Sequence, residues 1–146
     1  PIMLKKELWM KQSSNKLNLI YLYRLPVIVL CLFIFWQSSY PGIISEPLFP
    51  FDDKVLHFAV YALLAILTAR DLIAEKLFRS FTRIKIIAIF FACLFGLSDE
   101  IHQAFVASRD ASAGDFLADC AGSILGCLIY LELFIRKNKR QVRKPL

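Results

Sequence analysis

Four apolar runs separated by basic segments constrain this chain more than any other feature. They lie roughly at Leu25 to Tyr40, Val55 to Ala69, Ile84 to Leu97 with a less pure continuation to Val106, and Phe116 to Ile135. Crossing a bilayer takes about 20 mostly apolar residues rising about 1.5 Å each, so the first two runs must borrow from their flanks. The first can extend back through Ile20 if Arg24 snorkels to the headgroups, which sets Tyr21 and Tyr40 about 28 Å apart as interfacial belts. The second runs into Arg70-Asp71 and is either tilted or set in a thinned bilayer. No small-residue cleavage site follows the first run, which is therefore read as a retained span. The chain has 146 residues, 58% of them hydrophobic, and its mean hydropathy is +0.55. Those values exclude a disordered chain and argue against a water-soluble globule. Five glycines and six prolines exclude a collagenous or low-complexity protein, and no internal repeat is evident.

The positive charge is distributed by segment. Of eighteen basic residues, five lie in 1–24, five in 70–85 and six in 132–146, leaving only Lys54 and Arg109 elsewhere. The positive-inside rule then places both termini and the middle loop in the cytoplasm. The expected organisation is a basic cytoplasmic segment over 1–18, a four-span membrane domain over 19–135 and a basic cytoplasmic tail over 136–146. The net charge of +6 is thus an orientation signal rather than a nucleic-acid footprint, and no nucleic-acid partner is expected. Contact with anionic membrane lipid is the expected use of the tail. The fold class is all-α: an integral membrane four-helix bundle.

Acidic residues show the reverse bias. Eight of the twelve, among them Asp53, Asp99, Glu100, Asp115 and Asp119, fall outside or in the outer halves of spans. Carboxylates contribute little to orientation, so this bias points to function. Cys31, Cys93, Cys120 and Cys127 all lie in apolar runs without a CxxC pair, and packing is their expected role.

Three stretches put polar side chains where hydrocarbon is expected. In the first, Asp53, His57 and Tyr61 recur at i, i+4, i+8 and share a helical face, with Lys54 beside them. The second is Ser98-Asp99-Glu100-Ile101-His102-Gln103, in which Asp99 with His102 and Glu100 with Gln103 are i, i+3 pairs. The third runs from Arg109 through Ser112 to Asp115 and Asp119, which align with Gly122 and Gly126. From Ile84 to Ser98 a helix climbs about 21 Å, which leaves the second stretch in the outer leaflet, and His57 and Asp119 reach a similar level. Each charge in a span costs about 2.5–3.5 kcal/mol on insertion scales, so several at one level imply pairing or hydration inside the bundle. An outward-facing polar pocket is expected, formed by the outer ends of spans two, three and four.

These residues carry a family resemblance. The ordered pattern Asp53-Lys54-x-x-His57-Phe58-x-x-Tyr61-Ala62-x-Leu64, Ser98-Asp99-Glu100-x-x-Gln103-x-Phe105-Val106-x-x-Arg109 and Asp115-x-x-Ala118, followed by Gly122 and Gly126, resembles the VanZ-like family of small bacterial membrane proteins. The resemblance covers roughly residues 50–128. It implies a multi-pass protein of the bacterial inner membrane, in a family some of whose members are linked to glycopeptide (teicoplanin) resistance. Where the family often has proline and glycine before the arginine, this chain has Ala107-Ser108-Arg109. Where asparagine commonly follows the alanine, it has Asp119, an added carboxylate.

His57 beside Asp53 could be held in one tautomer and exchange protons, or could simply pack. Asp99 and Glu100 point about 100° apart, so at most one is expected to face the pocket centre while the other pairs with a cation or caps a loop; Glu100 with Gln103 is preferred for the pocket on the family pattern. Arg109 suits a phosphate or carboxylate, or else an internal salt bridge to Glu100, Asp115 or Asp119. His102 lies outside the pattern and is expected in a supporting role. Asp99-x-x-His102 has metal-ligand spacing that Asp53, His57, Glu100, Asp115 or Asp119 could complete, but a single such motif is weak, and no metal or other cofactor is expected. Gly122-x-x-x-Gly126 allows close helix approach, within the chain or in a homo-oligomer. The leading expectation is binding of a cell-envelope ligand, such as a lipid-linked cell-wall precursor, with Arg109 and Lys54 meeting anionic groups and His57 and Glu100 orienting them. The alternatives are a hydrolase or transferase acting on a lipid phosphate or peptidoglycan precursor with His57 or Glu100 as general base, and proton- or ion-coupled transport.

Overall fold

The computed structural model describes residues 17–40, 51–76, 78, 80–107 and 109–142. Among them are four helices and no strand: α1 (Leu17–Ser38), α2 (Asp52–Ala74), α3 (Phe81–Gln103) and α4 (Ala113–Val142). All four are long and apolar enough to cross a membrane. The chain is an all-α, multi-pass four-helix membrane protein.

The expected spans lengthen at their ends, for local reasons. In α1, Pro26 has no amide to donate, and the Leu25 N–H reaches back five residues to the Ile20 carbonyl in a π-helical turn that carries the helix through Arg24. The Arg24 guanidinium makes an ion pair of 2.6 Å with Glu75, and Asp71 lies 3.7 Å from it. Arg70 sits over the Tyr23 ring at 4.7 Å. With these charges partnered, α2 continues through Arg70-Asp71 to Ala74, about 34 Å of helix. Phe51, in the left-handed region at φ 67°, turns the chain into α2, whose first turn holds Asp52 and Asp53 at the positive end of the helix dipole. At the other end of the molecule α4 runs on to Val142, so the expected basic tail begins as helix. The first sixteen residues of the expected basic segment lie outside the described residues.

Consecutive helices alternate in direction. The α1 start meets the α2 end through Arg24 and Glu75, and the α1 end meets the α3 end through Ser38 and Gln103. One end of the bundle therefore carries the basic residues Arg24, Arg70, Arg136 and Lys137; the other, the acidic end, carries Asp53, Asp99, Glu100, Asp115 and Asp119.

α2 and α4 run parallel in fixed register. Gly122 lies so close to α2 that a Cβ there would run into the Phe58 carbonyl, and one at Gly126 would stand 2.8 Å from both the Cβ and the carbonyl of Ala62. The small-residue stripe is thus used within the chain. Leu64, Ala65, Ala69, Ala88, Ala92 and Cys127 are fully buried and form an apolar layer between the two ends. Small side chains dominate it, as close helix packing in lipid requires. α1 is peripheral, with only Ile34 and Ser38 buried. Leu32, Phe33, Phe35 and Trp36 are half or more exposed, as suits a lipid-facing helix.

Candidate functional site at the acidic end

The α2–α4 register brings successive polar pairs together. Lys54 Nζ is 2.9 Å from Asp115 Oδ1, and one turn further His57 Nδ1 and Asp119 Oδ1 share a 3.0 Å hydrogen bond. Tyr61, buried, stacks parallel to the His57 ring with centroids 6.3 Å apart. The imidazole is therefore held between a carboxylate and an aromatic face. Ser123, one turn below Asp119, donates its hydroxyl to the Asp119 carbonyl at 2.7 Å.

Glu100 enters from α3. One of its oxygens, Oε2, accepts the Ser112 N–H at 2.8 Å, while the Ser112 hydroxyl accepts from the N–H groups of Gly114 (3.2 Å) and Asp115 (3.4 Å). Ser112 is thus the N-cap of α4, and Glu100 supplies the carboxylate that a capping box would place three residues after the cap. Asp115 occupies that position but turns to Lys54 instead. Two carboxylates consequently sit at the positive end of the α4 dipole.

His57, Glu100 and Asp119 each offer a ligand atom, and the three atoms lie within 4.8 Å of one another. Asp119 is fully buried and Glu100 6% exposed. Oε1 of Glu100 and Oδ2 of Asp119 are buried without a hydrogen-bond partner. The buried Tyr61 hydroxyl is likewise unpartnered, and each such group costs about 1–3 kcal/mol unless water or a ligand meets it.

Other expected residues lie elsewhere. Asp53, anticipated beside His57, is exposed and bonds the Lys54 amide at 2.8 Å, because the first helical turn lies beyond the cluster. Asp99 is buried, as Glu100 is, but on a different side. It accepts from Gln103 at 3.0 Å, and Gln103 donates also to Ser38 of α1 at 3.3 Å. Gln103 therefore pairs with Asp99 at i, i+4 rather than with Glu100 at i, i+3, since α1 covers that face. Ser98 bonds its own helix at Phe95. His102 stacks on Phe35 at 4.6 Å and meets Ser39 at 3.0 Å, so the Asp99–His102 spacing does not form a shared ligand pair.

Among the described residues Arg109 does not form the internal salt bridge to Glu100, Asp115 or Asp119. It donates to the carbonyls of Gln37 and Tyr40, each at 2.8 Å, and so caps the carbonyl end of α1 with positive charge. Lys54 is engaged with Asp115 and Asp53. The centre of the cluster is thus acidic and imidazole in character.

Gly96 was not singled out from sequence. A Cβ there would stand 2.8 Å from Asp119 Oδ2 and 3.2 Å from the Tyr61 ring, so its missing side chain makes the space in which Asp119 sits. At the basic end a groove of about 540 Å³ is lined by residues that include Tyr23, Arg70, Tyr130 and Lys137.

Comparison with known proteins finds one family: the model described as VanZ/LLP1 matches residues 7–136. No curated protein and no solved structure matches the chain.

Proposed function

The chain belongs to the VanZ/LLP1 family, and from that premise we propose that it is a bacterial inner-membrane protein whose acidic end faces outward and binds a lipid-linked cell-envelope ligand. Both termini lie in the cytoplasm, following the distribution of Lys and Arg. In this reading the basic-end groove meets anionic lipid on the inner leaflet, where each nearby cation adds attraction of about 1 kcal/mol. The observation that carries the binding role is the convergence of His57, Glu100 and Asp119 with two carboxylate oxygens left unpartnered. Such a site has capacity for a polar head. Its position near the helix ends gives that head access while the lipid tail stays in the bilayer. A role in glycopeptide resistance follows if the ligand is the precursor that such antibiotics recognise.

The hydrogen bond between His57 and Asp119 favours a second, enzymatic reading. An imidazole oriented by a buried carboxylate is the usual arrangement of a general base, and hydrolysis or transfer at a lipid phosphate would use it. Transport has less support, because the buried layer below the cluster is apolar among the described residues.

Detergent-purified protein incubated with a labelled lipid-linked cell-wall precursor separates these readings. Binding predicts retention of unchanged precursor in excess over a phospholipid of equal charge, lost in His57→Ala and Glu100→Gln. Product formation that disappears in both variants selects the enzyme. Equal retention of precursor and phospholipid by wild type and variants refutes both.

A further inference from the structure

We propose that His57, Glu100 and Asp119 form a binding site for a divalent transition-metal ion, Zn2+ or Mn2+. The donor set of one imidazole nitrogen and two carboxylates suits these ions. Ligands sharing such an ion at about 2.0–2.2 Å are separated from each other by about 3.0–3.6 Å. The 3.0 Å between His57 Nδ1 and Asp119 Oδ1 is already such a separation, and Glu100 completes the triangle within 4.8 Å.

Two independent observations point to a cation rather than to three polar groups that merely pack. Oε1 of Glu100 is a buried acceptor without a partner, and so is Oδ2 of Asp119, which lies on the Gly96 and Tyr61 side of that carboxylate. The nearby cations are also committed elsewhere: Lys54 to Asp115 and Asp53, and Arg109 to the Gln37 and Tyr40 carbonyls. With a neutral imidazole the triad carries two negative charges in a low-dielectric interior, and a divalent ion cancels both. Binding through Nδ1 needs that nitrogen free of its proton: an imidazolium releases one proton to solvent and keeps Nε2–H, whereas a neutral Nδ1–H imidazole passes its proton to Nε2. Apparent affinity therefore falls as pH is lowered far enough to protonate the imidazole or the carboxylates.

Three protein ligands leave open coordination positions. The ion would accept a phosphate oxygen there, which gives an acidic cluster the means to hold an anionic lipid head. This last step, unlike ion binding itself, rests on the reading of the site as a lipid-ligand site.

The test uses the full chain purified in detergent and the ion alone. Titration with Co2+ as a spectroscopic probe, followed by Zn2+ competition, is expected to give one ion per chain. Asp119→Asn and Glu100→Gln should weaken binding more than about 100-fold, the upper end of what loss of an outer-shell partner causes. Glu132→Gln, at the far end of α4, should leave affinity within twofold. No saturable binding by wild type, or equal binding by wild type and both triad variants, overturns the site. Cadmium NMR on wild type needs no variant: one resonance in the nitrogen–oxygen range supports the site, and a thiolate-range resonance or none refutes it. Precursor retention with and without a chelator then separates the two ideas. Retention lost on chelation and restored by Zn2+ supports recognition through the ion; retention unaffected by the chelator overturns that role while leaving the lipid-ligand reading intact. Ion binding without precursor retention sinks the lipid-ligand reading and leaves the metal site standing.

Discussion

Glu100 on α3 accepts the backbone N–H of Ser112 at the start of α4, at 2.8 Å, and so completes from a neighbouring helix the cap that α4 leaves open. The same carboxylate lies within 4.8 Å of the ligand atoms of His57 and Asp119, and its other oxygen is buried without a hydrogen-bond partner. One side chain thus ties the local start of a helix to the chemistry of the cluster.

These two roles separate by substitution. Glu100→Gln keeps an acceptor for Ser112 and is expected to cost under about 1 kcal/mol, whereas Glu100→Ala leaves the buried N–H unpaired and costs about 1–3 kcal/mol. Thermal melts of the purified protein should rank them in that order. Ligand and ion binding should be lost in both.

Gly122→Ala places a methyl group against the Phe58 carbonyl, which is backbone and cannot rotate away. Overpacking of this kind costs about 3 kcal/mol or more, and the lowered melting temperature should appear without any change in oligomer mass. A shift in mass at unchanged melting temperature would instead mark the stripe as a contact between copies.

Gly96→Ala presses on Asp119 Oδ2 and the Tyr61 ring, two side chains with some freedom to move. Its expected stability cost is about 1–2 kcal/mol, while binding at the triad should weaken at least tenfold through displacement of Asp119 from His57. Isothermal titration beside a melt reads both. Binding preserved at full strength would show that the space at Gly96 is unimportant to the site.

Arg109→Ala removes two charge-assisted bonds from the end of α1. With the guanidinium partly exposed, the loss is expected to be about 1–2 kcal/mol, and ion affinity should stay within threefold because the cluster does not use this side chain. A large drop in ion affinity would contradict the placement of Arg109 at α1.

Much of the architecture was legible because hydropathy and helix length are properties of consecutive residues. Mean hydropathy and four runs identified the spans, and helical spacing placed Asp115 and Asp119 on the face of Gly122 and Gly126 that meets α2. The partner of His57 was not legible in this way. Face-sharing pointed to Asp53, but the bond is made to Asp119, 62 residues away, through a register that Gly122 and Gly126 set against α2. Arithmetic on α3 gave the divergence of Asp99 and Glu100, yet not that both would be buried, because α1 shelters one and α4 the other. The length of α2 was underestimated since Arg70 and Asp71 read as a break, and only Tyr23 and Arg24 on another helix make those charges tolerable.

The apolar layer formed by Leu64, Ala65, Ala69, Ala88, Ala92 and Cys127 closes the bottom of the acidic end. His57 sits five residues into α2, about 8 Å from its first residue, so the cluster lies near one end of the bundle with the apolar layer between it and the other. A ligand held at this cluster would therefore exchange through the acidic end, since reaching the other end would mean breaking the packing of this layer.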